Sequence, residues 1–487
     1  MRPTPLLLAG LVSLALPGVI LAQSDGRVET KQYEDGGVYE GTFVNGRQHG
    51  TGTYTLPNGY EYSGEWSDGE VVGQGVARFP NGSVYEGEFA EGKPDGQGRI
   101  TLADGGTYEG DWTDGTINGQ GVAVYANGTR YEGGFRNARH HGIGRMETSS
   151  GYVYDGDWVD GEKEGDGTIT YPGGAVYEGQ MAGDLREGTG TLRMADGLVY
   201  EGAWSGGEIT GEGTLTHPDG DVYRGDFVSG ERQGEGRKEY ANGDVYEGAF
   251  QADQREGQGT FTRPDGYRYD GGWVAGRIEG QGTVTYPDGA VYEGQFRNDL
   301  PDGQGRITYP DGNTYEGEWS NGVIEGEGIA TYANGAVYEG SFVDARNEGQ
   351  GTMTFPGGMT YEGAWSEGRR DGEGTATYPD GTVYTGTFSD GEPDGSGRIV
   401  YPDGSTYVGE WSEGEIEGQG VLTYANGDVY EGGFAGGRRE GEGTLSTAGG
   451  EERSGEWQAG ALISQAGPGQ EEAPASDDPD GDESPAQ

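Results

Sequence analysis

The sequence predicts an all-β protein: an elongated, twisted, single-layer antiparallel sheet built as a repeat array, one β-hairpin per 23-residue repeat. Three observations lead there. A tyrosine returns every 23 residues from Tyr39 to Tyr430 with no insertion or deletion, which is 17 steps and 18 units. A fixed period of this kind means stacked supersecondary units rather than one globular core. Around each tyrosine the residues alternate with period two, as in Val291-Tyr292-Glu293-Gly294-Gln295-Phe296. Asp-Gly or Asn-Gly then stands between two such runs, a strong short-range hairpin signal.

Residues 1–22 stand apart. Arg2 supplies a short positive region, Leu6 to Leu16 is apolar, Pro17-Gly18 breaks the run, and Ala22 offers a small residue before a cut. This reads as a cleavable secretory signal, cut near Ala22-Gln23. The other reading is an uncleaved anchor, but the run is shorter than the ~20 residues of a spanning helix. Residues 23–38 hold half a unit, expected to supply an N-terminal capping strand. The array is assigned to 39–464 and an acidic disordered tail to 465–487, where no base balances the acids.

Within a unit, counting the tyrosine as zero, glycine recurs at +2 and a large apolar residue at +4. Glycine is usual at +7 and recurs at +11 and +13, before a Pro/Ala-Asp/Asn-Gly turn at +18 to +20. The positions carrying the pattern are Tyr39, Gly41, Phe43, Tyr62, Gly64 and Trp66 early in the chain. Later they are Tyr292, Gly294, Phe296, Gly303, Gly305, Tyr315, Gly317 and Trp319. Strict alternation puts Tyr292, Gly294 and Phe296 on one face and Gly303, Gly305, Ile307 and Tyr309 on the same side of the next strand. Bare glycine there leaves room for a ring to lie on the backbone. Pro287-Asp288-Gly289 reads as the tight connection and residues 297–302 as the looser one.

The +4 residue alternates between Phe and Trp, from Phe43 and Trp66 onward, with Met181 in one Phe place, and Phe250 breaks the phase after Phe227. Two readings stay open: interdigitated rings in a pair of hairpins, or a trace of duplication.

Composition limits function. Hydrophobic residues are 31% and glycine is 105 of 487, so the chain has no thick core. Aromatics at 11%, in register, set it apart from disordered chains. The net charge of −53, from 84 acids and 31 bases, repels nucleic acid and anionic lipid. With no cysteine there is no disulfide and no thiol nucleophile. No phosphate-binding loop, nucleophile elbow or His-Glu-x-x-His occurs. His140-His141 reads as solvated loop histidines rather than a metal pair. Equivalent acidic turns lie two strands apart, about 9.5 Å, which one calcium ion cannot bridge. Asn81-Gly82-Ser83 and Asn127-Gly128-Thr129 fit a glycosylation acceptor but read as turns. The residues therefore call for no catalytic site, metal or cofactor.

Tyr-Glu-Gly-x-Phe/Trp followed by Gly-x-Gly, as at Tyr292, Gly294, Phe296, Gly303 and Gly305, resembles the MORN repeat (membrane occupation and recognition nexus). The likeness spans 18 units plus a degenerate nineteenth, where Arg453 stands in the tyrosine position and Gly455 and Trp457 keep the pattern. It implies twisted antiparallel sheets, scaffolding, oligomerisation and, in some members, attachment to membranes rich in phosphoinositides. The expectation is a secreted or periplasmic non-enzymatic scaffold with protein partners, forming a homodimer and not binding anionic membrane. The alternatives are a glycan- or envelope-binding protein using exposed aromatic rows, and a membrane-associated MORN protein.

Overall fold

The computed structural model describes residues 27–465, all of them strand, turn or connection, with no helix among them. The signal peptide expected at 1–22 lies outside the described residues, as does the tail expected at 465–487 apart from Gln465. Thirty-nine strands run from β1 (Val28–Gln32) to β39 (Ala461–Gln465), numbered in chain order. They fall into two compact units, one ending at Ala241 and the other beginning at Asn242. That cut falls between Phe227 and Phe250, where the Phe/Trp alternation slips. The first unit holds β1 to β19 (Glu231–Glu239) and the second β20 (Val245–Gln251) to β39. Each is an open antiparallel sheet in which chain neighbours pair.

One repeat shows how residues become hairpin. Strand β24 (Val291–Arg297) and strand β25 (Leu300–Thr308) pair from Val291↔Thr308 to Gly294↔Gly305. The Pro-Asp-Gly turn before β24 closes when the Tyr286 N–H donates to Ala290 O at 2.8 Å and the Gly289 N–H to Tyr286 O at 2.9 Å. Asp288 Oδ1 accepts from the Ala290 N–H at 3.0 Å. Gly289 takes a φ of 91°, a conformation glycine adopts at no steric cost.

The second connection corrects the sequence reading. Arg297 pairs with Leu300, so only Asn298 and Asp299 lie between the strands. Their φ values are 49° and 70°, positive at both, as in the type I′ turn that suits the twist of paired strands. This is the tighter connection, not the looser one. The extra residues are taken up by a bulge. After Gly294↔Gly305 the next pair is Phe296↔Pro301, which sets Gln295 against Asp302, Gly303 and Gln304.

The bulge also corrects the face assignment. Gly303 has a φ of 102°, so alternation does not run through it. A Cβ there would meet the Gln295 side chain, so Gly303 alone turns to the polar face, while Pro301 before it and Ile307 after it are both buried on the ring side. The +9 residue of each unit thus belongs to the core face, on a strand that begins inside the span read as a connection.

The core is a line of rings inside the single layer. Tyr292 is 0% exposed. A Cβ at Gly294 would lie 2.5 Å from both Gly305 Cα and the Tyr292 hydroxyl, and one at Gly305 would strike the same hydroxyl. The ring therefore lies over two paired glycines. It meets Phe296 edge-on at 5.1 Å and Trp319 of the next repeat at 5.1 Å. Strand β26 (Thr314–Ser320) continues the line, with Tyr315 at 5.7 Å from Trp319 and 5.0 Å from Phe342. Each such pair contributes roughly 0.5–1.5 kcal/mol beyond area burial.

Trp319 Nε1 also donates to Gly305 O at 3.2 Å, 14 residues back. Seven other tryptophans make the equivalent bond, among them Trp66 to Gly52 O and Trp365 to Gly351 O. Phenylalanine cannot make it. The Phe/Trp alternation therefore has a packing role: eight of the nine tryptophan repeats are pinned to their predecessors through an indole.

Candidate interaction surface

The repeat-defining residues come together as structural pairs. Tyr39 lies over Gly41 and Gly52, and Tyr62 over Gly64 and Gly75. Tyr39 meets Phe43 and Trp66, both at 5.1 Å. Gly317 faces Gly328 across the strands, beneath the Tyr315 ring. Burial holds these phenols above their ordinary value, with Tyr39 pushed up to about 12.

The rows at zero and +4 give the glycan reading no exposed platform. The rings at zero and +4, Tyr292, Phe296, Tyr315 and Trp319 among them, are buried. Their faces are taken by glycine backbone and by one another, so they offer no platform to a sugar.

Two columns that the sequence reading missed border the rings. The first is the +9 column on the core face. Arginines there lie on aromatic faces: Arg186 is 4.1 Å from the Trp204 ring centre and Arg255 is 4.0 Å from that of Trp273. Stacking of guanidinium on indole is attractive because the ring face is negative. In each pair the guanidinium also donates to a turn carbonyl of the next repeat, Gly207 O at 2.6 Å and Gly276 O at 2.7 Å.

His140 occupies the same column, on strand β11 (Arg139–Glu147), and corrects the solvated-loop reading. It stacks on Tyr131 at 3.7 Å, and its Nε2 lies 2.7 Å from the Tyr125 hydroxyl. Burial, then the charge of Lys163, pushes its pKa down to about 4. A neutral imidazole in an aromatic box is a packing residue. Among the described residues no three of His, Asp and Glu gather as a metal site would need.

The second column is acidic, at +10. Glu279 Oε1 accepts the Asn298 N–H of the next turn at 3.0 Å, and Glu348 Oε2 accepts that of Glu367 at 2.9 Å. Glu417 does the same for Gly436 at 2.9 Å and Glu440 for Ala459 at 2.7 Å. From Glu256 to Glu440 every +10 residue is an acid, which aligning the units by their tyrosine would have revealed. Part of the negative charge is therefore structural.

The bases are distributed singly. Arg369 pairs with Asp390 at 2.6 Å while its neighbour Arg370 turns to the Tyr361 ring at 5.6 Å. Lys238 pairs with Asp221 at 2.9 Å. Asn81 and Asn127 each accept an N–H two residues on, at 2.9 Å, as turn residues do.

Two clefts differ in chemistry. One, of about 1330 Å³ on the polar face of the first unit, is lined by Asp166, Glu178, Glu201, Glu212 and neighbours. The other, of about 750 Å³ in the second unit, is lined by Tyr378, Tyr384, Tyr401, Trp411, Pro393 and neighbours.

The MORN repeat family model matches this chain eighteen times in succession, from residues 39–59 to residues 430–451. No curated protein matches. Among solved structures, the chain is similar to the SAS-4 TCP domain of Drosophila melanogaster in complex with a proline-rich motif of Ana2. There the identity is 17%, 32% of this chain and 88% of that chain are covered, and the TM-score is 0.21. The TCP10 domain of Danio rerio CPAP with a STIL peptide is matched at 14% identity over 59% of this chain and 97% of that one, TM-score 0.19. A streptogramin B lyase is matched at 13% identity over 60% and 90%, TM-score 0.11. All three scores are far below one half and carry no argument about this chain.

Proposed function

The chain belongs to the MORN repeat family, a family of repeat scaffolds, and from that premise we propose that it is a secreted or periplasmic, non-enzymatic scaffold that presents its sheet for protein contacts. The observation carrying this reading is the disposal of the aromatic rings. The rings at zero and +4 are spent on one another, so the surface left for recognition is largely acidic and polar, with carboxylates in fixed rows. Such a surface suits proteins that carry basic groups. The apolar run ending at Ala22 supports export, and a mature protein beginning at Gln23 is the expected product of N-terminal sequencing. A homodimer fits too, because β1 and β39 carry end-strand edges of the kind that pair between chains. Light scattering that gives a monomer mass at every concentration would remove the dimer.

The test is a pull-down from cell-envelope extract with the purified array immobilised. Saturable retention of proteins is expected. Retention by insoluble polysaccharide with no protein bound would replace the scaffold with a glycan binder. Membrane attachment is tested separately, by co-sedimentation with phosphoinositide vesicles in chelator at low salt. A net charge of −53 and singly paired bases predict no binding. Tight binding would restore the membrane reading.

A further inference from the structure

Three arginines at +9 share one seat. Arg186, Arg255 and Arg439 lie 4.1, 4.0 and 4.1 Å from Trp204, Trp273 and Trp457. They lie 5.9, 5.7 and 5.5 Å from the tyrosines of their own repeats, Tyr177, Tyr246 and Tyr430. Each also donates to a glycine carbonyl 21 residues on, Arg439 to Gly460 O at 2.6 Å. Such a seat is an indole face, a phenol ring and a carbonyl.

At Pro393 the seat exists without its arginine. The corresponding groups are Tyr384, Trp411 and Gly414, and all three line the 750 Å³ cleft, flanked by Tyr378 and Tyr401 with Asp380 and Glu415 at hand. Pro393 stands across from Phe388 and is too short to cover the indole. Exposure registers the difference. Trp204, Trp273 and Trp457, beneath arginines, keep 3%, 2% and 4%, while Trp411 keeps 8%.

Two other tryptophans follow a proline, Trp112 after Pro94 and Trp319 after Pro301, and each also keeps 8%. The residue beside the turn glycine separates the three seats. It is Lys93 at Gly115, Leu300 at Gly322 and Glu392 at Gly414. At the first seat that residue is a base already paired with Asp114, and at the second it is apolar, so neither offers a guest cation a counter-charge. At the third the cation meets a carboxylate.

We propose that the seat at Pro393 receives the guanidinium of an arginine side chain presented by a protein partner. The inference rests on the scaffold reading and names the chemistry of its partner. The planar, weakly hydrated guanidinium matches a seat of two ring faces and a carbonyl better than a compact ammonium does. The chain's own arginines demonstrate the fit at the sister seats, and its net charge draws basic partners toward the cleft.

The test uses the full chain labelled with fluorotryptophan and followed by fluorine NMR, with the Trp411 resonance assigned by Trp411→Phe. The probes are L-argininamide, a Gly-Arg-Gly amide peptide and the neutral isostere citrullinamide. The Trp411 resonance is expected to shift saturably with the first two and about tenfold less readily with citrullinamide. Pro393→Arg should abolish the shift by filling the seat from within, as Arg439 does. If that variant melts early, Glu392→Gln replaces it, with a several-fold weaker response expected. Equal response to citrullinamide, a silent Trp411, or a response that persists in Pro393→Arg would overturn the proposal. A Trp411 shift that appears only on concentrating the protein alone would put a second copy in the seat and overturn the partner reading. If the envelope pull-down still retains proteins while Trp411 stays silent, the scaffold stands and the arginine seat falls.

Discussion

The Tyr292 hydroxyl donates to the Gln295 carbonyl at 2.9 Å, three residues along its own strand. Gln295 is the single residue that faces three across the bulge. To reach its carbonyl, the phenol must lie along the backbone, and it crosses Gly294 and Gly305 on the way. Tyr315 to Glu318 O at 2.9 Å and Tyr338 to Ser341 O at 3.0 Å repeat the arrangement. Bulge, tyrosine and paired glycines are one device, and each part requires the others.

Glycine replacement beneath the ring is the first consequence. Gly294→Val should destabilise the array by about 1–3 kcal/mol, because the new side chain meets the Gly305 backbone as well as the Tyr292 ring. Glu293→Val, one residue away on the exposed face, should cost less than about 0.5 kcal/mol. Denaturant midpoints of the two variants check this, and equal losses would mean that the ring does not lie where described.

Alkali should dismantle the sheet through its tyrosines. Tyr39, Tyr85 and Tyr177 are pushed up to about 12 by burial, from an ordinary value of 10.0. Between those values the unfolded chain releases protons that the fold retains, so stability falls as pH rises. It should be complete below pH 10 and lost through about pH 12, with similar contributions from repeat after repeat. Tyrosinate absorbance and circular dichroism should change together. Tyrosines that ionise near pH 10 beneath an intact sheet would contradict their burial.

The acidic column is expected to act through single hydrogen bonds. Glu279→Ala removes the acceptor of the Asn298 N–H and should cost about 1 kcal/mol, while Glu279→Gln keeps a carbonyl and should cost less. Chemical denaturation of the pair measures it. No difference between them would make the column solvent-facing charge only.

Much of the fold was legible in the sequence because the period never slips. Tyrosine at zero, glycine at +2 and +13 and the Asp-Gly turn sufficed for the hairpin and for expecting a ring over bare glycine backbone. Two features were not legible, for one physical reason. The three residues that bulge opposite Gln295 lengthen the segment so that 297–302 reads as a loop, and Pro301 and His140 were placed there although they belong to the ring face. Strict period two cannot show a bulge. The seat at Pro393 is further hidden, since it is defined by a residue that is missing from a column rather than by a motif.

The central claim is that a repeat has no core of its own and is held by the rings of its neighbours, as Tyr292 is by Trp319. A truncation series cut at turn glycines, followed by circular dichroism and thermal melting, tests it most directly. One or two repeats should be unfolded, about six should fold, and stability should rise roughly in proportion to repeat number. A single repeat that folds alone, or a melting point indifferent to repeat number, would contradict the account.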